Sequence, residues 1–346
     1  MWSIGRIRFD SRTVLGPMSG FTSRSYREFM AGFGPAVAVT EMVSSKGLLH
    51  DPVASERFVS SPKGCPTGVQ VFGGEPDIVA KGAAKAMEIN PDLLFVDVNM
   101  GCPVPKVIRS GSGSALMRDP RKCGDVVKAV KDAVDVPVTA KIRLGGTDET
   151  MNFREVIDEL LKADVDAVTV HARTVDQRYA GRSRPEFIRN LGREIPVPLI
   201  VSGDIYSADD ALRAIEVTDA EGIMIARGGV GNPFLIAQVN SLLDRGIELP
   251  DPTMREQSEW CLHLMDMTID ELGDKMGLAR LRSLVPKFLA GCRYSREYRR
   301  AVTDPGTDYE GMRGFVVRMA DELGDERRRC EGTGLRLEDR TAMKPA

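Results

Sequence analysis

Eight short, almost unbroken apolar runs recur through the first two-thirds of this chain, and no other feature narrows its fold as far. They occupy residues 14–18, 37–41, 68–72, 94–99, 138–142, 167–171, 199–202 and 222–225. A strand that is apolar on both faces belongs in a parallel sheet covered by helices. Most of the intervals repeat their apolar residues at helical spacing, at 23–30, 76–87, 123–134, 153–161, 208–215 and 233–243. The stretches after the second and eighth runs are less regular. Eight such units in about 250 residues match the usual size of a (β/α)8 TIM barrel. A doubly wound sheet is the alternative, but it needs a GxGxxG turn after its first strand. This chain reads GPMSGFTSRSY there. The pattern predicts an α/β barrel over residues 1–248.

At Glu248-Leu249-Pro250-Asp251-Pro252 the strand pattern stops. Helical spacing takes over at 253–272, 278–292 and 309–323, which predicts a small all-helical domain over 253–330. Residues 331–346 are polar and glycine-containing, as expected of a flexible tail. No apolar run is long enough to span a bilayer, and the opening MWSIGRIRFD lacks the apolar centre of a signal peptide. The expected location is the cytoplasm. Six scattered cysteines with no CxxC pair fit a reducing compartment and give no sign of a metal or iron–sulfur site. A net charge of −3 gives no overall signal for nucleic acid, so any such site must be a local patch.

Chemistry in a parallel barrel sits at the carboxyl ends of the strands. Here those ends carry Pro17-Met18-Ser19, Glu41, Gln70, Asn99 with Cys102, Lys141 with Arg143, His171 with Arg173, Ser202-Gly203-Asp204 and Ala226-Arg227-Gly228-Gly229. After Asn99 the run breaks at Gly101-Cys102-Pro103, because proline restricts the residue before it and has no amide hydrogen. The last two ends are glycine turns leading into helix starts, a common phosphate site in barrels, to which Arg227 adds a charged donor. Gln70 and Lys141 suit the edge of a flat heteroaromatic ring, one through its amide and one through its charge. The alternatives are a hydrogen-bonded core glutamine and a solvated lysine. His171 reads as a neutral imidazole, since no second histidine or acidic cluster accompanies it. A ring site and a phosphate site in one barrel point to FMN.

The runs GPMSGFTSRSYR, VQVFGG, VDVNMGCPVPKVIRSGSGSALMRDP, TAKIRLG, VHARTVDQRYAG, SGDI and ARGGVGNP, in this order, resemble the tRNA-dihydrouridine synthases. These are FMN-dependent barrels that reduce uridines in tRNA. The resemblance covers residues 14 to 234 and implies roles for them. Pro17, Met18 and Ser19 would line the isoalloxazine, and Gln70 and Lys141 would bond its pyrimidine edge. Asn99 and His171 would lie near it, with Ser202, Gly203, Asp204, Ala226 and Arg227 towards the phosphate. NADPH or NADH would supply the reducing power, uracil C6 would receive hydride, and Cys102 would deliver a proton to C5. Two departures stand out: Ser202 replaces the family's usual asparagine before Gly-Asp, and Ala226 replaces its usual glycine before arginine.

Residues 275–300 hold Lys275, Arg280, Arg282, Lys287, Arg293, Arg296, Arg299 and Arg300 against Glu297 alone, with Phe288, Tyr294 and Tyr298 interleaved. A basic stretch with aromatics is the footprint of an RNA surface. It is also compatible with an amphipathic helix that packs Leu281, Leu284, Phe288 and Leu289 on its own domain. Arg143, Arg173 and Arg178 follow strands five and six and are candidates for holding a flipped nucleotide. Two rivals remain: an FMN enzyme acting on a free pyrimidine, like dihydroorotate dehydrogenase, and a non-catalytic RNA-binding barrel.

Overall fold

A computed structural model describes residues 1–329; the tail expected at 331–346 lies outside the described residues. Strands β1 (Trp2–Ile4) and β2 (Ile7–Phe9) form an antiparallel hairpin. The parallel strands are β3 (Thr13–Leu15), β4 (Val37–Val39), β5 (Val43–Ser44), β6 (Thr67–Phe72), β7 (Val96–Asn99), β8 (Val138–Arg143), β9 (Ala167–His171), β10 (Leu199–Ser202) and β11 (Gly222–Ile225). Each pairs with its neighbour, β4 meets β6 at Ala38↔Thr67, and β11 returns to β3 at Ile223↔Thr13. With β5 pairing beside the end of β6, the result is a closed eight-stranded parallel barrel. All eight predicted strands form, with ends shifted by at most three residues.

Helices α1 (Arg24–Ala31), α2 (Ser45–His50), α3 (Pro52–Val59), α4 (Pro76–Ile89), α5 (Pro105–Arg109), α6 (Pro120–Ala133), α7 (Phe153–Lys162), α8 (Leu191–Glu194) and α9 (Ala208–Thr218) lie between strands. Proline opens α3, α4, α5 and α6, where its missing amide is not needed. The irregular stretch after the second run is the short pair α2–α3. The N-terminal hairpin was not legible, since three-residue strands are too short to show a period. Its Trp2, Ile4 and Phe9 pack against Val14, Val37, Phe95, Ala167, Ile200 and Met224, filling the core at one end of the barrel.

By packing, the described chain forms two compact units. One comprises Met1–Ala31, Pro35–Gly203 and Arg213–Ile225, and holds every strand. The other comprises Gly32–Gly34, Asp204–Leu212 and the described residues from Ala226 on. It contains α10 (Leu235–Arg245), α11 (Met254–Phe288), α12 (Ser295–Thr303) and α13 (Tyr309–Leu323). Gly273, at φ 71, divides α11 into two helical stretches, close to the predicted gap at 273–277. Helix α12 leaves no apolar period in the sequence, because its surface is dominated by charge: only Tyr298 and Val302 of its residues are buried.

Thr253 caps α11. Its hydroxyl accepts from the Glu256 N–H at 3.3 Å, and the Glu256 carboxylate accepts from the Thr253 N–H at 2.7 Å. Thr253→Ala is expected to cost about 1 kcal/mol of stability, measured as a shift in denaturant midpoint with unchanged slope.

Candidate active site

Three residues on adjacent strands share one register level: Gln70 faces Asp97, and Asp97 faces Thr139. Their side chains join. Asp97 Oδ2 accepts from Gln70 Nε2 and Oδ1 from Thr139 Oγ1, both at 2.6 Å. One level up, Gln70 Oε1 accepts from Asn99 Nδ2 at 2.8 Å. Asn99 Oδ1 then accepts the N–H groups of Gly101 at 3.3 Å and Cys102 at 3.0 Å. The hydrogen-bond chain therefore runs from the strand interior to the cysteine backbone. Asp97 is not among the residues at the strand ends, although an acid inside the run VDVN carries its own signal: buried, it must have partners.

The opposite side of Cys102 is held by the segment GSGS. The Ser114 N–H donates to Cys102 O at 3.2 Å. A Cβ on Gly113, at φ +59, would stand 3.0 Å from that oxygen and 3.1 Å from Cys102 Cβ, so only glycine lets the segment press this close. Burial raises the thiol above its ordinary pKa; the Val104 N–H and the charges of Arg143 and Lys141 oppose this only in part. At neutral pH it stays protonated.

Lys141 faces Asn99 in register. Burial, then the Arg143 charge, lower its ammonium to about 8, against the opposing pull of Asp97 and Cys102. The Lys141 carbonyl accepts from the Met100 N–H at 2.9 Å, while its ammonium makes no hydrogen bond among the described residues. A cation beside an amide with bonding capacity left over fits the pyrimidine edge of a flavin ring.

Arg143 and Arg173 do not present their charge to solvent, being 2% and 1% exposed. Arg143 donates to the carbonyls of Gly101, Thr174 and Arg178 at 2.8–2.9 Å, tying the cysteine turn to the loop after β9. Arg173 donates to Ala180 O and Gly181 O, and its Nη1 lies 3.2 Å from His171 Nε2. Arginine can only donate, so His171 Nε2 accepts and its proton sits on Nδ1. Arg178 is exposed, with Tyr179 beside it over the Arg143 guanidinium.

The first strand-end loop is closed by Phe21 and Thr22 N–H donating to Met18 O, and by Gly20 N–H donating to Glu41 at 3.0 Å. Pro17 and Met18 are half-buried and Ser19 is exposed. Ser202 is buried. Gly203 sits at φ +124, and a Cβ there would lie 2.3 Å from Ser183 Oγ and 3.0 Å from His171 Cδ2. Gly203→Ala is therefore expected to cost about 1–3 kcal/mol through overpacking and strain, read from its thermal midpoint.

In the second unit, Arg227 Nη2 pairs with Asp204 Oδ1 at 3.1 Å and the guanidinium lies over the Tyr206 ring, next to Ala226. Arg282 donates to the carbonyls of Pro305 and Thr307, and Arg293 pairs with Glu326. Lys287 is half-buried and Arg296 exposed.

A profile of the dihydrouridine synthase (Dus) family matches residues 14–316. A probable tRNA-dihydrouridine synthase of Rickettsia bellii is 34% identical over 87% of this chain and 93% of its own length. The tRNA-dihydrouridine synthase B of Pseudomonas aeruginosa is 33% identical over 86% of this chain and 89% of its own length. Among solved structures, histamine dehydrogenase from Rhizobium shares the fold with TM-score 0.52 at 14% identity, over 77% of this chain and 50% of that one. An amine oxidase from Pseudomonas geniculata does so with TM-score 0.57 at 13% identity, over 93% of this chain and 66% of that one. The length and identity of the match to the first two proteins, with the family profile spanning both the barrel and the helical region, carry one conclusion: this chain belongs to the dihydrouridine synthase family.

Proposed function

We propose that the protein reduces uridines in tRNA to dihydrouridine, using FMN and NADPH or NADH. The observation that carries this reading is the meeting of Gln70, Asn99, Cys102 and Lys141 at three adjacent strand ends. Gln70 and Lys141 would hold the pyrimidine edge of FMN, with Pro17, Met18, Ser19, Asn99 and His171 around the ring. Ser202, Gly203, Asp204, Ala226 and Arg227 would serve its phosphate end. FMN held there and reduced by NADPH or NADH would supply hydride to uracil C6.

The chain's own residues account for the proton. Cys102, protonated at neutral pH, gives its hydrogen to C5 as general acid and is left as thiolate. Lys141 and Arg143 both stabilise negative charge at that sulfur. Asn99 and the Gly113-Ser114 backbone hold the residue while it acts.

A uridine in folded tRNA must leave its stack to reach a barrel mouth. Arg178 on the barrel, and Arg282, Lys287, Arg293 and Arg296 in the proposed helical tRNA-binding domain, would contact phosphates. Arg143 and Arg173 would act indirectly, by shaping the loop that carries Arg178 and Tyr179. No helix among the described residues is long and apolar enough to cross a membrane; we place the reaction in the cytoplasm, where tRNA is processed.

The test is to incubate purified protein with FMN, NADPH and unmodified tRNA, and to count dihydrouridine by nucleoside mass spectrometry. Turnover of free uracil or orotate instead of tRNA would favour the free-pyrimidine reading.

A further inference from the structure

Asp97 has no part in the chemistry proposed above, yet it is a buried acid at the root of the hydrogen-bond chain that ends on Cys102. A carboxylate only accepts hydrogen bonds, whereas each amide of Gln70 and Asn99 can turn over and exchange donor for acceptor. With both Asp97 oxygens taking donors, Gln70 must point its NH2 inward and its oxygen toward Asn99. Asn99 must then answer with its NH2, which leaves its own oxygen for the N–H groups of Gly101 and Cys102. Turned the other way, the Asn99 NH2 would face those two N–H groups, donor against donor, and the turn could not close.

We infer that Asp97 is a positioning residue whose two accepting oxygens set the direction of this whole chain, fixing both the face Gln70 offers to a ligand and the place of the Cys102 turn. Burial raises the Asp97 carboxyl above its ordinary range, and the bonds from Gln70 and Thr139, then the Lys141 charge, oppose this in part. Thr139 holds the second oxygen, so the carboxylate cannot rotate out of line without losing a bond. The consequence for cofactor binding rests on the flavin reading; the consequence for Cys102 does not.

The experiment follows alkylation of Cys102 by iodoacetamide in cofactor-free protein, read on the Cys102 peptide so that other cysteines do not contribute. Asp97→Asn keeps the shape and removes the charge, so both amides are free to turn. The Cys102 rate is expected to rise about tenfold, the equivalent of one charged hydrogen bond. Combining Asp97→Asn with Gln70→Glu moves the carboxylate one step along the chain. The new acid at position 70 accepts from the new amide at position 97 and from Asn99 Nδ2, so the direction is restored and the rate should fall back toward wild type.

A residue that merely fills space predicts neither the rise nor the rescue. A wild-type rate in Asp97→Asn, or no rescue in the double variant, overturns the inference. Should Asp97→Asn fail to fold, neutron diffraction from wild-type crystals decides it. Gln70 Nε2 deuterons directed at an unprotonated Asp97 support the assignment, and the reverse orientation ends it. FMN titration of wild type runs in parallel: a chain that refuses FMN removes the flavin reading and leaves the alkylation result to judge this one.

Discussion

Cys102→Ala is expected to slow dihydrouridine formation about 10²–10⁴-fold, the usual contribution of a general acid, while FMN still binds. The prediction follows from how the residue is held. Its N–H is bonded to Asn99 and its carbonyl to Ser114, so the backbone turn survives loss of the sulfur. Single-turnover kinetics with prereduced protein should show the loss in the rate constant rather than in KM for tRNA, because the thiol acts on the transition state. The raised thiol pKa keeps wild-type activity flat across neutrality on this account. Reduction of tRNA by the alanine variant at the wild-type rate would place the proton donor elsewhere.

The second large effect belongs to Lys141. Its ammonium, lowered to about 8, is mostly charged at pH 7 and mostly neutral at pH 9. FMN affinity that depends on this charge should weaken as pH rises through that interval. Lys141→Met should bind FMN about 10–100-fold more weakly at pH 7, with no further loss on the alkaline side. Fluorescence titration of FMN between pH 7 and 9.5 reads both outcomes; a flat wild-type profile would remove Lys141 from the ring. The stability effect has the opposite sense. The unfolded lysine holds its proton up to about 10.4, so between the two values the unfolded chain binds more protons. Folding therefore gains from Lys141 as pH rises from about 8.

The barrel was legible because each core strand is a short apolar run with a glycine, proline or polar residue at its end. The β1–β2 hairpin was not legible: its meaning lies in Trp2 and Phe9 meeting Phe95, Ile200 and Met224, contacts that no local period encodes. The site divides the same way. Cys102 and Lys141 announce themselves by residue type at a strand end. Asp97 hides inside a strand, and its importance appears only when Gln70 and Thr139 arrive from neighbouring strands. Arg143 and Arg173 look like surface cations in the sequence. Their partners, the carbonyls of Gly101, Thr174, Arg178, Ala180 and Gly181, are set by loop geometry that residue type cannot reveal.

The seam between β3 and β11 has a bearing on biosynthesis. Gly16 N–H donates to Ile225 O at 2.8 Å and Ile223 N–H to Arg12 O at 2.9 Å, pairings that join chain segments about two hundred residues apart. A nascent polypeptide leaving the ribosome has no eighth partner for its first strand until that late segment emerges. Both open edges must wait meanwhile, so the interval of exposure to misassociation is set by where the cylinder is sewn shut.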